Sequence, residues 1–191
     1  MRVTMDSTVL DQGPHHGPHQ VPKEDRVPQA WRVLAEVPDP EVPVLSVCDL
    51  GIVRDVIAQG VGLQVVLTPT YSGCPATEVI ADSVCEALDR AGLGPVTVTL
   101  QRAPAWTTDW MSEDGRRKLR EYGIAPPGPV SPQDPAPVIF HASRPSRALS
   151  VACPRCDSEQ TERLSAFGST ACKALYRCLK CREPFEHFKP I

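Results

Sequence analysis

Two C-x-x-C pairs, Cys153-Pro154-Arg155-Cys156 and Cys178-Leu179-Lys180-Cys181, stand 21 residues apart in the last quarter of the sequence. Each pair can form a knuckle that offers two thiolates to one ion, and two knuckles close a tetrahedral site. About 40 residues with few large apolar side chains do not easily build a core that holds unaided, so a structural metal is expected to supply the missing stability. Zinc is the expected ion at Cys153, Cys156, Cys178 and Cys181, with an iron–sulfur cluster as the alternative. The flanking sequence reads as a small β ribbon, with strands at Leu164–Phe167, Ala174–Arg177 and Phe185–Phe188. Cys172 lies six residues before Cys178. It fits a fifth thiol near the metal, an alternative ligand or a small buried residue.

With 191 residues, the chain has room for one full domain and a small second one. Charge marks the division. Residues 1–143 carry 11 basic and 18 acidic side chains, and residues 144–191 carry 9 and 5. The formal net charge of −3 gives the whole chain no nucleic-acid signature. No secretory or membrane-spanning run is evident, so the expected location is the cytoplasm, with no membrane partner. Thiols stay reduced there, and eight cysteines then point to metal or reactive-thiol chemistry before disulfides.

Residues 1–27 are rich in Pro, His and charge and read as a disordered arm. His15, His16 and His19 in it are read as incidental rather than as a metal site. Residues 28–122 read as a small α/β domain. A helix is expected from Pro28 through Trp31, Leu34 and Val37, ended by Pro38-Asp39-Pro40. A hairpin of Ile52–Ala58 and Leu63–Leu67 turns at Gln59-Gly60. A helix from about Ala76 to Arg90 presents Val79, Ile80, Val84, Leu88 and Ala91 as its apolar face. Val96–Leu100 alternates as a third strand. Ser112 can cap a last helix, about Glu113 to Tyr122, whose basic run reads as a solvated face or a contact for an acidic partner. Residues 123–149 form a Pro-rich linker, with Val138–Phe140 as a weak strand candidate. Residues 150–191 form the ribbon. Cys48 and Cys85 are expected in the core.

Within the α/β domain, Thr68-Pro69-Thr70-Tyr71-Ser72-Gly73-Cys74-Pro75 joins a strand to a helix. A thiol at a helix N-terminus ionises more readily, and the thiolate attacks electrophiles or binds metal. A buried structural cysteine is the alternative at Cys74. Five histidines occur, none between residues 28 and 122, so a Cys–His nucleophilic enzyme would need His141 or His187 from outside. The chain has no Glu-x-x-His pair and no P-loop. A reactive-looking thiol without catalytic company, beside a metal ribbon, suggests carrying, assembling or docking more than turnover.

Asp39-Pro40-Glu41-Val42-Pro43, Asp49-Leu50-Gly51-Ile52-Val53 and the Thr68–Pro75 loop together resemble the signatures of the MIP18 (domain of unknown function 59) family. That resemblance covers roughly residues 28–105. It implies a small α/β fold and a part in iron–sulfur cluster assembly and transfer. Cys74 matches the cysteine implicated in that work, and Asp39, Glu41, Thr68 and Thr70 match the motif residues around it. Pro104–Met111, Gly115–Leu119 and Phe167–Cys178 further resemble the PaaD-like family of bacterial phenylacetyl-CoA epoxidase components, a MIP18-like domain followed by a zinc-ribbon-like tail. The resemblance implies an accessory, non-catalytic subunit of a multicomponent oxygenase in phenylacetate degradation. Its partners would be the di-iron oxygenase or reductase subunits, with a homodimer as a further arrangement, and its cargo a transient iron or iron–sulfur cluster. Two other readings stay open: a purely structural docking component, and a nucleic-acid-binding ribbon in which Tyr176, Phe185 and Phe188 would stack on bases.

Overall fold

The computed structural model describes residues 25–71, 76–128 and 151–191. The chain folds as α/β followed by a small β region. The first helix, α1 (Arg26–Leu34), starts and stops slightly before the expected span. It buries Ala30 and Leu34, and its first residue, Arg26, is buried too. The Arg26 guanidinium donates to the carbonyls of Val61, Leu93 and Gly94, which ties the helix start to the far end of the sheet. β1 (Val53–Gln59) and β2 (Gly62–Leu67) form the expected antiparallel hairpin. α2 (Ala76–Arg90) then crosses to β3 (Val96–Leu100), which lies parallel to β2, so the sheet order is β1-β2-β3. α2 buries Ala76, Ile80, Val84 and Leu88, a strict four-residue stripe. Val79, expected on that face, falls beside the stripe and is 51% exposed. Cys48 and Cys85 are both half-buried, and of the two only Cys48 packs against the core cluster.

The loop between β3 and the last helix is a structural clamp. Trp106 is buried, and its indole N–H donates to Leu50 O at 2.9 Å. Trp110 closes a short 3-10 turn, Thr108–Trp110, and lies 3.6 Å under the Arg54 guanidinium. Gly51 has φ +67°, and a Cβ there would stand 2.4 Å from Trp110 O, so only glycine fits. Asp49 accepts hydrogen bonds from the Ser46 amide and hydroxyl, from Ser112 Oγ and from Lys118 Nζ. These partners outweigh burial and hold its carboxyl below the ordinary range. The Asp49-Leu50-Gly51 segment is thus explained by packing and turn chemistry.

α3 (Glu113–Tyr122) is capped by Ser112 Oγ, which accepts from the Gly115 amide at 2.9 Å, and it ends at left-handed Gly123. Its basic side chains are occupied within the chain. Arg117 pairs with Asp114 and Glu121, Lys118 with Asp49, and Arg120 with Asp157, while Arg116 donates to the Thr108 and Pro127 carbonyls.

β4 (Ile124–Ala125), β5 (Thr161–Ser165), β6 (Lys173–Cys178) and β7 (Pro184–Phe188) form the second sheet, ordered β4-β7-β6-β5. Two details differ from the sequence reading. Ile124–Ala125, placed in the linker, pairs parallel with β7, because two residues carry too little pattern to signal a strand. Phe167, placed in a strand, lies beyond β5 and is 65% exposed, with the Lys189 ammonium 4.6 Å from its ring. The ribbon also shares the α/β core. Cys172 and Phe188 belong to the same buried cluster as Leu34, Leu50 and Ile80, and the Trp106 and Phe188 rings are 6.3 Å apart. A smaller cluster of Ala125, Val151, Cys153, Cys178 and Phe185 surrounds the paired cysteines. Among the described residues, no helix is long and apolar enough to cross a membrane. The N-terminal histidines, residues 72–75 and Val138–Phe140 lie outside the described residues.

Candidate functional site

The two C-x-x-C segments do fold into knuckles. The Asp157 amide bonds back to Cys153 O, and the Cys181 amide points at Cys178 Sγ, 3.4 Å away. That N–H bond leads the effects that hold the Cys178 thiol down to about 6, towards the metal-binding thiolate. Asp157 and Arg182, each immediately after a pair, take positive φ (58° and 67°) so that the chain can turn under its sulfurs. The four sulfurs all lie within 4.8 Å of one another, with Cys153–Cys181 at 3.8 Å and Cys156–Cys178 at 3.6 Å. A tetrahedral ion with ~2.3 Å bonds to sulfur would set its ligands about 3.8 Å apart. The donor set therefore fits one four-coordinate ion with no open position.

Cys172 is not part of that cluster. It lines instead a small cavity at the seam between the ribbon and the α/β domain. Asp39 and Glu41 face the same cavity from the loop after α1, Thr70 from the loop after β2, and Ile80 and Phe188 from the packed core. The cavity volume is about 20 Å³, the scale of a single water or ion. The Asp39-Pro40-Glu41-Val42 segment folds as it does because Asp39 Oδ1 accepts from the amides of Glu41 (2.9 Å) and Val42 (2.8 Å). Burial pushes the Asp39 carboxyl up, against those two amides and Lys173. Burial and the neighbouring Asp39 push Glu41 up as well. Cys172 Sγ stands 3.0 Å from Thr170 Oγ1 and 4.0 Å from Glu41 Oε2, and burial raises its thiol. Lys173, nearly fully buried, pairs with Glu186 at 3.1 Å.

A wider groove, lined by Glu41, Val42, Tyr122, Lys173 and Glu186 among others, opens beside this cavity. Glu41 and Val42 line both, so Glu41 stands where solvent meets the interior. Thr68 is 1% exposed, and its hydroxyl has no hydrogen-bond partner among the described residues. Leaving such a group unpaired costs about 1–3 kcal/mol. Thr68 lies between two cavity-lining residues, Leu67 and Pro69. The structure thus brings Asp39, Glu41 and Thr70 together, with Thr68 next to them, while Cys74 falls outside the described residues.

Of the three places open to Cys172, the structure takes the buried one, and sequence reasoning missed its contact with Glu41. No local signal could have shown it, because 131 residues separate the pair. The aromatic residues raised as base-stacking candidates are used internally. Phe185 and Phe188 are buried, and Tyr176 stacks on Phe185 and meets His187 edge-on. His187 is buried, and burial pushes it down to about 4.

Residues 28–100 match the family described as iron–sulfur cluster assembly protein, and residues 141–189 match the PaaD zinc beta ribbon domain. An Escherichia coli (strain K12) protein, described as a candidate for the D component of 1,2-phenylacetyl-CoA epoxidase, is 52% identical over 166 residues, 87% of this chain and 94% of that protein. The chain belongs to the PaaD family of phenylacetyl-CoA epoxidase subunits. An Fe-S protein maturation auxiliary factor of Porphyromonas gingivalis is 36% identical to this PaaD family member, over 46% of this chain and 85% of that protein. A solved domain of unknown function 59 from Bacillus anthracis, 26% identical, covers 50% of this chain and 92% of its own, with a TM-score of 0.47.

Proposed function

We propose that the chain is an accessory subunit of a phenylacetyl-CoA epoxidase in aerobic phenylacetate degradation, and that it helps mature an iron or iron–sulfur centre. The carrying observation is the contrast between its two ligand sets. The four paired thiols form a closed set suited to permanent zinc, which would stabilise the ribbon. Asp39 and Glu41 line an ion-sized cavity that opens to solvent past Glu41, which suits cargo that must arrive and leave. Cys74, as thiolate, would hold the transient iron or cluster with Asp39 and Glu41. Thr68 and Thr70 would shape the pocket. The protein would act in the cytoplasm, against the di-iron oxygenase or the reductase of the complex, and carry out no turnover of its own.

Anaerobic purification of the full chain with metal and sulfide analysis, with and without Cys74→Ala, tests this. About one zinc plus iron that depends on Cys74 is the expected result. A Cys74→Ala chain that keeps its full metal content and supports a fully active reconstituted epoxidase would end the maturation reading and leave a docking role.

A further inference from the structure

We propose that β3 is a pairing edge, to which a second copy of this chain adds its own β3, antiparallel about a twofold axis at Val98, to make one continuous sheet. This edge lies apart from the seam cavity, and none of its residues lines it.

Among the described residues, the sheet edges are β1 and β3 in the first sheet and β4 and β5 in the second. Charges, bulges and brevity are how proteins keep such edges from pairing. β1 carries exposed Arg54 and Asp55 at an irregularity in its register. β5 carries Glu162 and Arg163 and a register shift of its own. β4 is two residues long. β3 has none of these guards: it is five residues long, and no charge occurs from Gly92 to Gln101. The Leu63 amide donates to Pro95 O, and the Gln101 amide donates to Leu67 O, so Thr97 and Thr99 turn their backbone groups towards β2. The N–H and C=O groups of Val96, Val98 and Leu100 therefore point away from the sheet. None of them has a backbone partner among the described residues.

The sequence of the edge selects the partner. Val96-Thr97-Val98-Thr99-Leu100 reads nearly the same in both directions about Val98, and a twofold contact needs such a self-complementary patch. With the axis at Val98, the two Val98 residues exchange N–H···O bonds, and each Val96 does so with the Leu100 opposite. Thr97 then falls opposite Thr99 in the closer, non-hydrogen-bonded positions, where threonine pairs are stabilising. Both threonines are exposed and Leu100 is 44% exposed, so pairing covers apolar surface as well as backbone. The hydrogen-bonded row from Gln59 through Gln64 to Thr99 already crosses the sheet on the threonine face and would run on into the second copy. Five residues a side are few beside the ~20–30 of a standard interface, so the dimer is expected to dissociate on dilution.

Sedimentation velocity of the full, zinc-loaded chain between about 1 μM and about 1 mM reads the pairing. The mass should rise from one chain towards two. Thr97→Lys with Thr99→Lys sets lysines against lysines across the axis and should weaken the dimer by about tenfold, with the circular dichroism of the fold unchanged. An equal mixture of that variant with Thr97→Glu, Thr99→Glu should restore pairing, because lysine then meets glutamate. Amide exchange in the wild type reads the register: Val96, Val98 and Leu100 should be protected only at high concentration, and Thr97 and Thr99 at every concentration. A wild type that stays monomeric throughout, whether a segment of its own or another protein takes the edge, overturns the pairing. So does a dimer indifferent to the lysines, and so does a mixture that stays monomeric. Where the lysine variant fails to fold, the exchange pattern decides. Concentration-dependent protection of Val98 supports the pairing, and fast exchange there in the dimer overturns it.

Discussion

The ribbon cluster and the seam cavity solve opposite problems. The four thiols come from two short segments, each within three residues of its partner, and stand at metal-ligand spacing. The fold around them is thin: besides Cys153 and Cys178 themselves, three buried residues, Ala125, Val151 and Phe185, form their cluster. There, the ion completes the structure. The cavity draws Asp39, Glu41, Thr70 and Cys172 from distant parts of the chain, and a large shared core holds them in place. There, the structure exists before any ion arrives. A site that needs its ion to fold cannot release it cheaply, whereas a site held open by its surroundings can.

The largest expected effect breaks the first half of that contrast. Cys178→Ser, or a strong chelator, should unfold the ribbon, because structural zinc contributes on the order of 10 kcal/mol in small metal domains. Far-ultraviolet circular dichroism during chelation reads this. A ribbon that keeps its structure without metal would show that the thiols are not what holds it.

Next comes the join. Phe188→Ala removes a fully buried ring from the shared core and should cost about 3–5 kcal/mol. Thermal denaturation should show both parts destabilised together. A change confined to the ribbon would mean that the two parts melt independently.

Asp39 separates turn chemistry from charge. Asp39→Ala strands two backbone amides and should cost about 1–3 kcal/mol. Asp39→Asn keeps an acceptor oxygen and should restore most of that stability while still failing to bind iron. Denaturant melts beside iron titrations read the two effects. Iron binding restored by asparagine would make Asp39 a positioning group only.

The smallest effect is a pH dependence. Burial pushes His187 down to about 4, below its ordinary value near 6.5 in an unfolded chain. The unfolded state therefore binds more protons, and stability rises with pH across that window. The stability from His187 is fully present above about 6.5 and lost as pH falls towards 4. Cluster protonation acts in the same direction, so the informative quantity is the difference between wild type and His187→Phe. The variant should lose less stability between those limits in melts at matched zinc. Identical slopes would place the acid sensitivity entirely in the thiols.

Much of the fold is legible locally. The alternation of Val96–Leu100 and the Ser112 cap set their elements wherever they stand, since period and capping act over a few residues. The two C-x-x-C pairs are legible for the same reason: one ion needs sulfurs a few ångströms apart, and two intervening residues guarantee that. Asp39 and Glu41 could be singled out as motif residues, yet nothing local told which neighbours they would meet. The two-residue strand at Ile124 and the outward turn of Val79 were illegible because each depends on what packs alongside.

The sequence by itself determined the four-thiol site, the order of the longer helices and strands, and the acidic loop. Tertiary structure alone decided that the ribbon would fold back onto the α/β core through Phe188. It also decided that Cys172 would stand outside the thiol cluster and meet Glu41. Burial of apolar surface is not directional and carries no memory of sequence distance. A contact it creates across 131 residues can be seen only in the folded chain.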